Sequence, residues 1–394
     1  MHSETHFIIE LAMILIAAAL GGLLSKKIGL PTLIGQIIGG IFIGPSILGL
    51  VHQTEFISNL AEIGVILLMF LAGLETDLEE LKKSLKKSSL IASGGIIVPF
   101  IMGFLTIVFL REQFEMKEAV FLGVILTATS MGIAIETLKD LGELKSEFGM
   151  SILGAAVIDD VIGVVILAVV LSSFGQATTS IETLIIQILI FIILTALIGK
   201  WISGYVLKNE KLFKRIKPRY LLGVSLITVL LFSVFASDFG MAAIIGAYSF
   251  GAIISTTSLK EKITKEIDRF GTAFFIPVFF VNIGLMINLH SVSKYLLITL
   301  VIALVGIVSK IIGSSIGAKL SGFENRQSFR VGVSMIPRAE VSLIISNLGL
   351  KLGFIKEDVF AGVILLVLLS TVLAPWLLKK TVKVQKVKVA KQSA

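Results

Sequence analysis

Two adjacent aspartates, Asp159 and Asp160, lie in the otherwise apolar stretch GAAVIDDVIGVVILAVV, residues 154–170. A lysine, Lys310, interrupts a second apolar stretch, GIVSKIIGSSIG. On insertion scales, one such residue at the middle of a membrane helix costs about 2.5–3.5 kcal/mol. One aspartate and the lysine would suffice for a structural ion pair. The second aspartate exceeds that need, which indicates a carboxylate that binds a cation or a proton.

The helical geometry separates the two carboxylates. Adjacent residues of an α-helix point about 100° apart, so Asp159 and Asp160 cannot both face one partner. One can pair with Lys310, and the other can face a water-filled cavity. A carboxylate that alternates between its charged and protonated forms can exchange a proton for a hard monovalent cation, as an exchanger does.

Two further segments interrupt apolar helices with polar and helix-breaking residues. They are ILTATSMGIAIETL and VSMIPRAEVSL, and the second contains Pro337, which cannot donate to a helix ladder. Such segments unwind at mid-membrane and expose carbonyls and helix ends to a binding site. The hydroxyl groups in the first segment either border an ion or bond to their own helix; they belong to Thr127, Thr129 and Ser130. Arg338 and Glu340 are predicted to support the site electrostatically.

The composition is that of a polytopic membrane protein. Of 394 residues, 55% are hydrophobic and only 16% are charged, with a mean hydropathy of +0.98, whereas soluble domains have about 25% charged residues. The absence of cysteine excludes disulfides and thiolate metal sites. The first apolar run has no basic segment before it and no cleavage site after it, so we expect a retained helix.

Thirteen apolar runs are long enough for membrane spans of about 20 residues. Their predicted limits are 7–24, 31–50, 57–74, 89–110, 118–138, 148–172, 183–206, 220–236, 239–256, 271–288, 295–318, 328–348 and 358–378. Loops on one side hold 27 lysines and arginines, and loops on the other hold 5. The positive-inside rule therefore predicts an external N-terminus and a cytoplasmic C-terminus.

Three weak internal matches predict a repeat. IGQIIGG at 34–40 resembles IGAYSFG at 245–251, and GLETDL at 73–78 resembles GLMINL at 284–289, both 211 positions apart. ATSMGIAIETLKDLG at 128–142 resembles GVSMIPRAEVSLIISNLG at 332–349, with an offset near 204. The offset covers seven spans, an odd number, so the copies are inverted. We expect spans 1–6 and 8–13 to be inverted repeats joined by span 7, an arrangement typical of alternating-access transporters.

The motifs ILGAAVIDDVIG, VILTATSMGI, VSMIPRAEVSLI, VSKIIGSSIGA and PTLIGQIIGGIFIGPSILGL resemble those of bacterial sodium/proton antiporters. The family is the monovalent cation:proton antiporter-2 family, and the likeness is greatest to its NapA-like members of thirteen helices. The resemblance implies that Asp160 carries the cation and the proton, with Thr129 and Ser130 beside the ion. It also implies a salt bridge between Asp159 and Lys310 that opens and closes during transport.

The resemblance implies a division of the chain as well. Residues 1–87 and 219–290 would form a dimerising scaffold, and residues 88–174 and 291–380 a core that moves like an elevator. Residues 175–218 would be the linker helix, and 381–394 a short basic cytoplasmic tail. The expected partners are the bilayer of the bacterial cell membrane and a second copy of the chain. Na⁺ or Li⁺ and H⁺ are expected as substrates, with no cofactor, no nucleic acid and no nucleotide-binding domain.

The sequence favours electrogenic Na⁺/H⁺ exchange and leaves alternatives open. A K⁺/H⁺ exchanger, or one that handles both ions, would use the same residue types. An intramembrane aspartyl protease needs its aspartates on separate helices, which argues against an enzyme. A cation channel needs no carboxylate that couples ion movement to protons.

Overall fold

The computed structural model describes residues 2–28, 30–175, 180–209, 216–287, 289 and 294–392, without the side chains of 2–6, 218, 340 and 382–392. These residues form helices and connecting segments, with no β-strand among them. The first eight helices are α1 His2–Lys27, α2 Thr32–Ile43, α3 Glu55–Glu75, α4 Leu78–Leu110, α5 Met116–Thr127, α6 Met131–Asp140, α7 Glu147–Ser173 and α8 Ile181–Lys208.

The second half of the chain continues in the same way. Its helices are α9 Pro218–Asp238, α10 Ala243–Ser255, α11 Lys260–Phe270, α12 Ile276–Leu285, α13 Leu296–Leu320, α14 Asn325–Ser334, α15 Glu340–Lys351 and α16 Glu357–Gln392. A π-helical stretch, Gly271–Phe275, joins α11 to α12. Within the described residues, ten helices are long and apolar enough to cross a membrane, and three shorter ones are also apolar. The prediction of a polytopic, all-helical membrane protein is confirmed.

Several helices begin or end at other residues than the predicted spans. The charged stretch LEELKKSLKK, which precedes predicted span 4, is the first part of α4, which continues to Leu110. The basic tail continues α16 as helix to Gln392. Span 2 is shorter than predicted, because α2 ends at Ile43 and Gly44 is extended.

Side-chain caps fix some of the helix starts. The Thr54 hydroxyl oxygen accepts a hydrogen bond from the Ile57 N–H at the start of α3, at 3.2 Å. The Asp77 carboxylate accepts from the Glu79 and Glu80 N–H groups at the start of α4, at 2.9 and 3.2 Å. Both caps satisfy backbone donors that have no partner inside the helix.

The helices group into two compact units. The first comprises residues 1–53, 84–163 and 280–394, and the second comprises 54–83 and 164–279. In the first unit α1 packs along α2, and α13 packs along α14 and α16. In the second unit α3 and α9 both pack along α10. The aspartate pair, Lys310 and both interrupted segments belong to the first unit.

Glycine contacts in the two units involve equivalent sequence positions. In the first unit a Cβ atom on Gly40 would lie 3.0 Å from the Gly284 Cα. In the second unit a Cβ atom on Gly73 would lie 2.9 Å from the Gly251 Cα. Gly251 follows Gly40 by 211 positions, and Gly284 follows Gly73 by the same number. In both units, a glycine of one sequence copy therefore makes a close helix contact with a glycine of the other copy.

Candidate ion-binding site

Two interrupted helices meet in the first unit. Between α5 and α6, residues Ala128, Thr129 and Ser130 leave the helical conformation, with extended backbone angles at Ser130. Between α14 and α15 the helix stops for residues 335–339, around Pro337. The Ser130 N–H donates to the Pro337 carbonyl at 2.7 Å, so the two unwound segments bond directly to each other.

Lys310 on α13 is fully buried beside the first unwound segment. Its ammonium Nζ lies 3.2 Å from the Asp159 carboxylate Oδ2. It also donates to the Gly95 carbonyl at 2.7 Å and to the Thr127 carbonyl at 2.8 Å. An ammonium has three protons to donate, and these three partners account for all of them. The buried pair therefore has the additional hydrogen bonds that an ion pair needs inside a protein.

Asp159 and Asp160 differ in their surroundings. Asp159 is 3% exposed, and its Oδ2 also accepts a hydrogen bond from the Thr129 hydroxyl at 2.6 Å. Asp160, the next residue of α7, is only partly buried. Its negative charge attracts the Lys310 ammonium, whereas the positive charge of Arg338 repels it. One carboxylate thus belongs to the buried ion pair, whereas the other belongs to a partly exposed residue and has one buried oxygen, Oδ2.

A second buried cation lies at the end of α5. Arg338 is fully buried, and its guanidinium Nη2 donates to the Leu126 carbonyl at 2.5 Å. Lys310 binds the next carbonyl, that of Thr127. The last carbonyls of a helix have no partner inside it and form its negative end. Two buried cations stabilise this helix end.

Small residues allow α4 to reach Lys310. A Cβ atom on Gly94 would lie only 2.1 Å from the Gly313 carbonyl oxygen, so the backbones of α4 and α13 touch there. A Cβ on Gly95 would lie 2.6 Å from the Ser314 hydroxyl and 3.3 Å from the Lys310 Nζ. This close approach brings the Gly95 carbonyl within hydrogen-bonding distance of the lysine.

The three hydroxyl residues of the first segment have different surroundings. The Thr127 hydroxyl donates to the Val124 carbonyl of its own helix at 2.8 Å, which is the second of the two alternatives that the sequence left open. The Thr129 hydroxyl binds Asp159, and the buried Ser130 Oγ has no hydrogen-bond partner among the described residues. The side chain of Glu340 lies outside the described part of the structure.

Sequence reasoning missed the backbone and hydroxyl partners of the buried cations. The Gly95 and Leu126 carbonyls carry no sequence signal of their own, although the glycine pair at 94–95 indicates close packing. Ser370 and Thr371 of α16 bond to the backbone of Arg338. The 211-position offset of the glycine pairs relates Asp159 and Asp160 to these two residues, but the nearer match at 128–142 has an offset near 204, so the repeat did not single them out.

Comparison with known proteins assigns the chain to a family. The family described as sodium/hydrogen exchanger, transmembrane, matches residues 14–384. The chain belongs to this family of exchangers. A related exchanger named the Na⁺/H⁺-K⁺ antiporter GerN of Bacillus cereus is 36% identical over 386 residues, 96% of this chain and 97% of GerN. The Na⁺/H⁺ antiporter of Enterococcus hirae is 38% identical over 379 residues, 95% of this chain and 97% of that protein.

The fold agrees with a solved exchanger structure. The sodium proton antiporter MjNhaP1 of Methanocaldococcus jannaschii matches with a TM-score of 0.73 at 18% identity, covering 96% of this chain and 99% of that one. The likeness concerns the fold. Together with family membership, it confirms a membrane transporter rather than an enzyme, and the predicted sodium/proton antiport is confirmed at the level of the family.

Proposed function

We propose that this exchanger binds Na⁺ and H⁺ alternately at Asp160 and couples that exchange to the Asp159–Lys310 pair. The observation that carries the proposal is the contrast between the two carboxylates. Asp159 is held by Lys310 and Thr129, and the neighbouring Asp160 is a partly exposed residue. A carboxylate that exchanges ions cannot remain engaged in a buried ion pair, which favours Asp160 as the carrier.

Hydroxyl and carbonyl oxygens beside the carboxylates complete the proposed site. Ser130 supplies a buried hydroxyl oxygen with no hydrogen-bond partner among the described residues, at the crossing of the unwound segments. Thr129 lies next to it, already in contact with Asp159. Oxygen donors suit a hard monovalent cation. Na⁺ and H⁺ are substrates of this site, and the mechanism requires no resident cofactor.

The buried ion pair gives the proposed cycle a second proton. If Asp160 alone exchanged one Na⁺ for one H⁺, no net charge would move. Opening the Asp159–Lys310 pair allows a further proton to be taken up or released there. Two protons would then return for each sodium expelled, and one net charge would cross. A potential of 100 mV would contribute about 2.3 kcal/mol to each turnover.

The coupling can be tested in proteoliposomes with a sodium gradient and no imposed voltage. We expect exchange to build a membrane potential, and valinomycin with potassium to accelerate exchange by collapsing it. Liposomes without protein provide the background. Exchange that builds no potential and is not accelerated by valinomycin with potassium would show one-for-one stoichiometry. It would refute the role of the ion pair.

Potassium is the second candidate substrate. GerN, which is 36% identical to this chain, is named a Na⁺/H⁺-K⁺ antiporter. Proton movements in everted vesicles, driven separately by Na⁺, Li⁺ and K⁺, discriminate between the two ions. A response to Na⁺ and Li⁺ alone supports a sodium exchanger, and an equal response to K⁺ supports a mixed one.

We also propose thirteen spans arranged as two inverted repeats, with a cytoplasmic C-terminus. The glycine contacts of Gly40 with Gly284 and of Gly73 with Gly251 support the repeat, because a two-fold relation between the copies interchanges them. The proposed scaffold and core are distinguished by which helices move during transport. The two compact units are distinguished by which helices are in contact, so their residue bounds differ. Cross-linking in two transport states, and the oligomeric state in detergent, would test the elevator motion and the dimer.

A further inference from the structure

Two buried hydroxyl groups hold the backbone of the second unwound segment. Ser370 and Thr371 lie on α16 and are fully buried. The Ser370 Oγ accepts a hydrogen bond from the Arg338 N–H at 3.1 Å. The Thr371 Oγ1 lies 3.0 Å from the Arg338 carbonyl and 2.6 Å from the Val367 carbonyl, so its proton is shared between two acceptors. Both backbone groups of Arg338, which lack helical partners, are therefore satisfied by α16.

This contact leads directly to the ion pair. The side chain of Arg338 reaches the Leu126 carbonyl, and the adjacent Thr127 carbonyl binds Lys310. Lys310 in turn binds Asp159. Each link is a hydrogen bond, an ion pair or the peptide backbone between two adjacent carbonyls, so a displacement of the Arg338 backbone changes the geometry around the aspartates.

The two positions have a counterpart in the first sequence copy. Ser370 and Thr371 follow Asp159 and Asp160 by 211 positions, the offset that also relates the glycine pairs. In the first copy the adjacent pair consists of carboxylates beside Lys310. In the second copy the pair consists of hydroxyls that hold a segment carrying an arginine. Only one copy therefore offers carboxylates to a cation at these positions.

We infer that Ser370 and Thr371 are positioning residues for cation exchange, which hold Arg338 against the end of α5. The inference rests on the proposed function of Asp160. Without the hydroxyl of Thr371, Arg338 moves away from the end of α5, and the carbonyls that Arg338 and Lys310 bind there are held less firmly. The site then binds Na⁺ less tightly, while the rate at saturating Na⁺ changes little.

Thr371→Val removes the hydroxyl and keeps the shape of the side chain. We expect the apparent KM for Na⁺ to rise about three- to tenfold at neutral pH, the range that the loss of one buried hydrogen bond supports. The rate at saturating Na⁺ should stay within about twofold of the wild type. Thr371→Ser, which restores the hydroxyl, should return the KM to within about twofold of the wild type.

Thr299→Val is the matched control. Thr299 is fully buried on α13, and its hydroxyl bonds to the Leu296 carbonyl of its own helix at 2.8 Å. We expect it to leave both the KM for Na⁺ and the rate at saturating Na⁺ unchanged. Ser370→Ala provides an independent variant, because it removes the acceptor for the Arg338 N–H; it decides the question if Thr371→Val does not fold.

The outcomes separate the inference from the proposed function. Wild-type protein that does not exchange Na⁺ for H⁺ would refute the proposed function. Active wild type with an unchanged KM for Na⁺ in both the Thr371→Val and Ser370→Ala variants would overturn the inference. A lower melting temperature alone, with an unchanged KM, would assign these hydroxyls to stability and also overturn it.

Discussion

The two unwound segments differ in what they contribute to the site. The first, residues 128–130, follows a helix whose last carbonyls are bound by Lys310 and Arg338. The second, residues 335–339, supplies Arg338 and is itself held by hydroxyls of α16. One segment therefore presents negative helix-end charge beside the aspartates, and the other supplies a cation that stabilises it.

This difference explains how one site can arise in a duplicated fold. If both copies carried carboxylates at these positions, four negative charges would approach one crossing, and burial of each would have to be compensated. Hydroxyls in place of the second pair remove that cost and hold the backbone. The variants described next test whether the first copy binds the cation and the second copy holds the backbone of the site.

The largest effect is expected from Asp160→Asn. An amide can neither carry the negative charge nor exchange a proton, so Na⁺-dependent proton movement should fall to the level of liposomes without protein. Asp238→Asn, at an exposed aspartate at the end of α9, is the matched control and should keep wild-type exchange. Wild-type rates in purified, reconstituted Asp160→Asn would show that the site lies elsewhere.

Lys310→Ala should reduce both stability and exchange. Removing one partner of a buried pair costs about 3–5 kcal/mol if the other stays charged. The double variant Lys310→Ala with Asp159→Asn removes the uncompensated charge and should recover part of the lost melting temperature. Melting curves in detergent measure both. A double variant no more stable than the single one would contradict the pairing of Asp159 with Lys310.

A smaller loss is expected from closing the gap between α4 and α13. In Gly94→Ala the new Cβ meets the Gly313 carbonyl, which forces the helices apart and should cost about 1–3 kcal/mol. The Gly95 carbonyl would then withdraw from Lys310, and exchange should slow. Gly223→Ala in α9 is the control, because its Cβ meets no atom within 4 Å. Equal melting temperatures for the two variants would refute this packing argument.

The sequence predicted much of this arrangement for identifiable reasons. Charges in apolar runs are rare enough that Asp159, Asp160 and Lys310 could be singled out, and Pro337 indicated an interruption. The choice of Asp159 as the partner of Lys310 could not be derived from helical periodicity, because it depends on how α7 rotates against α13. The carbonyl partners could not be predicted either, because any backbone carbonyl near a helix break can accept.

The smallest effect is expected far from both unwound segments, at Asp77. Hydrogen bonds from the Glu80 and Glu79 N–H groups lower the pKa of the Asp77 carboxyl below its ordinary value of 3.8. A lowered pKa contributes stability above the ordinary value, and this contribution is lost as the pH falls through the folded-state pKa. The melting temperature of wild type should therefore fall slightly more between pH 5 and about pH 3 than that of Asp77→Asn. Equal pH dependence of the two melting temperatures would show that the Asp77 carboxylate makes no such contribution to stability.

In the proposed mechanism, Na⁺ and H⁺ compete for the Asp160 carboxylate. The most direct measurement is proton release when Na⁺ is added to purified protein in weakly buffered detergent solution near neutral pH. We expect wild type to release protons as Na⁺ binds, and Asp160→Asn to release none. Sodium binding to wild type without any release of protons would contradict this competition.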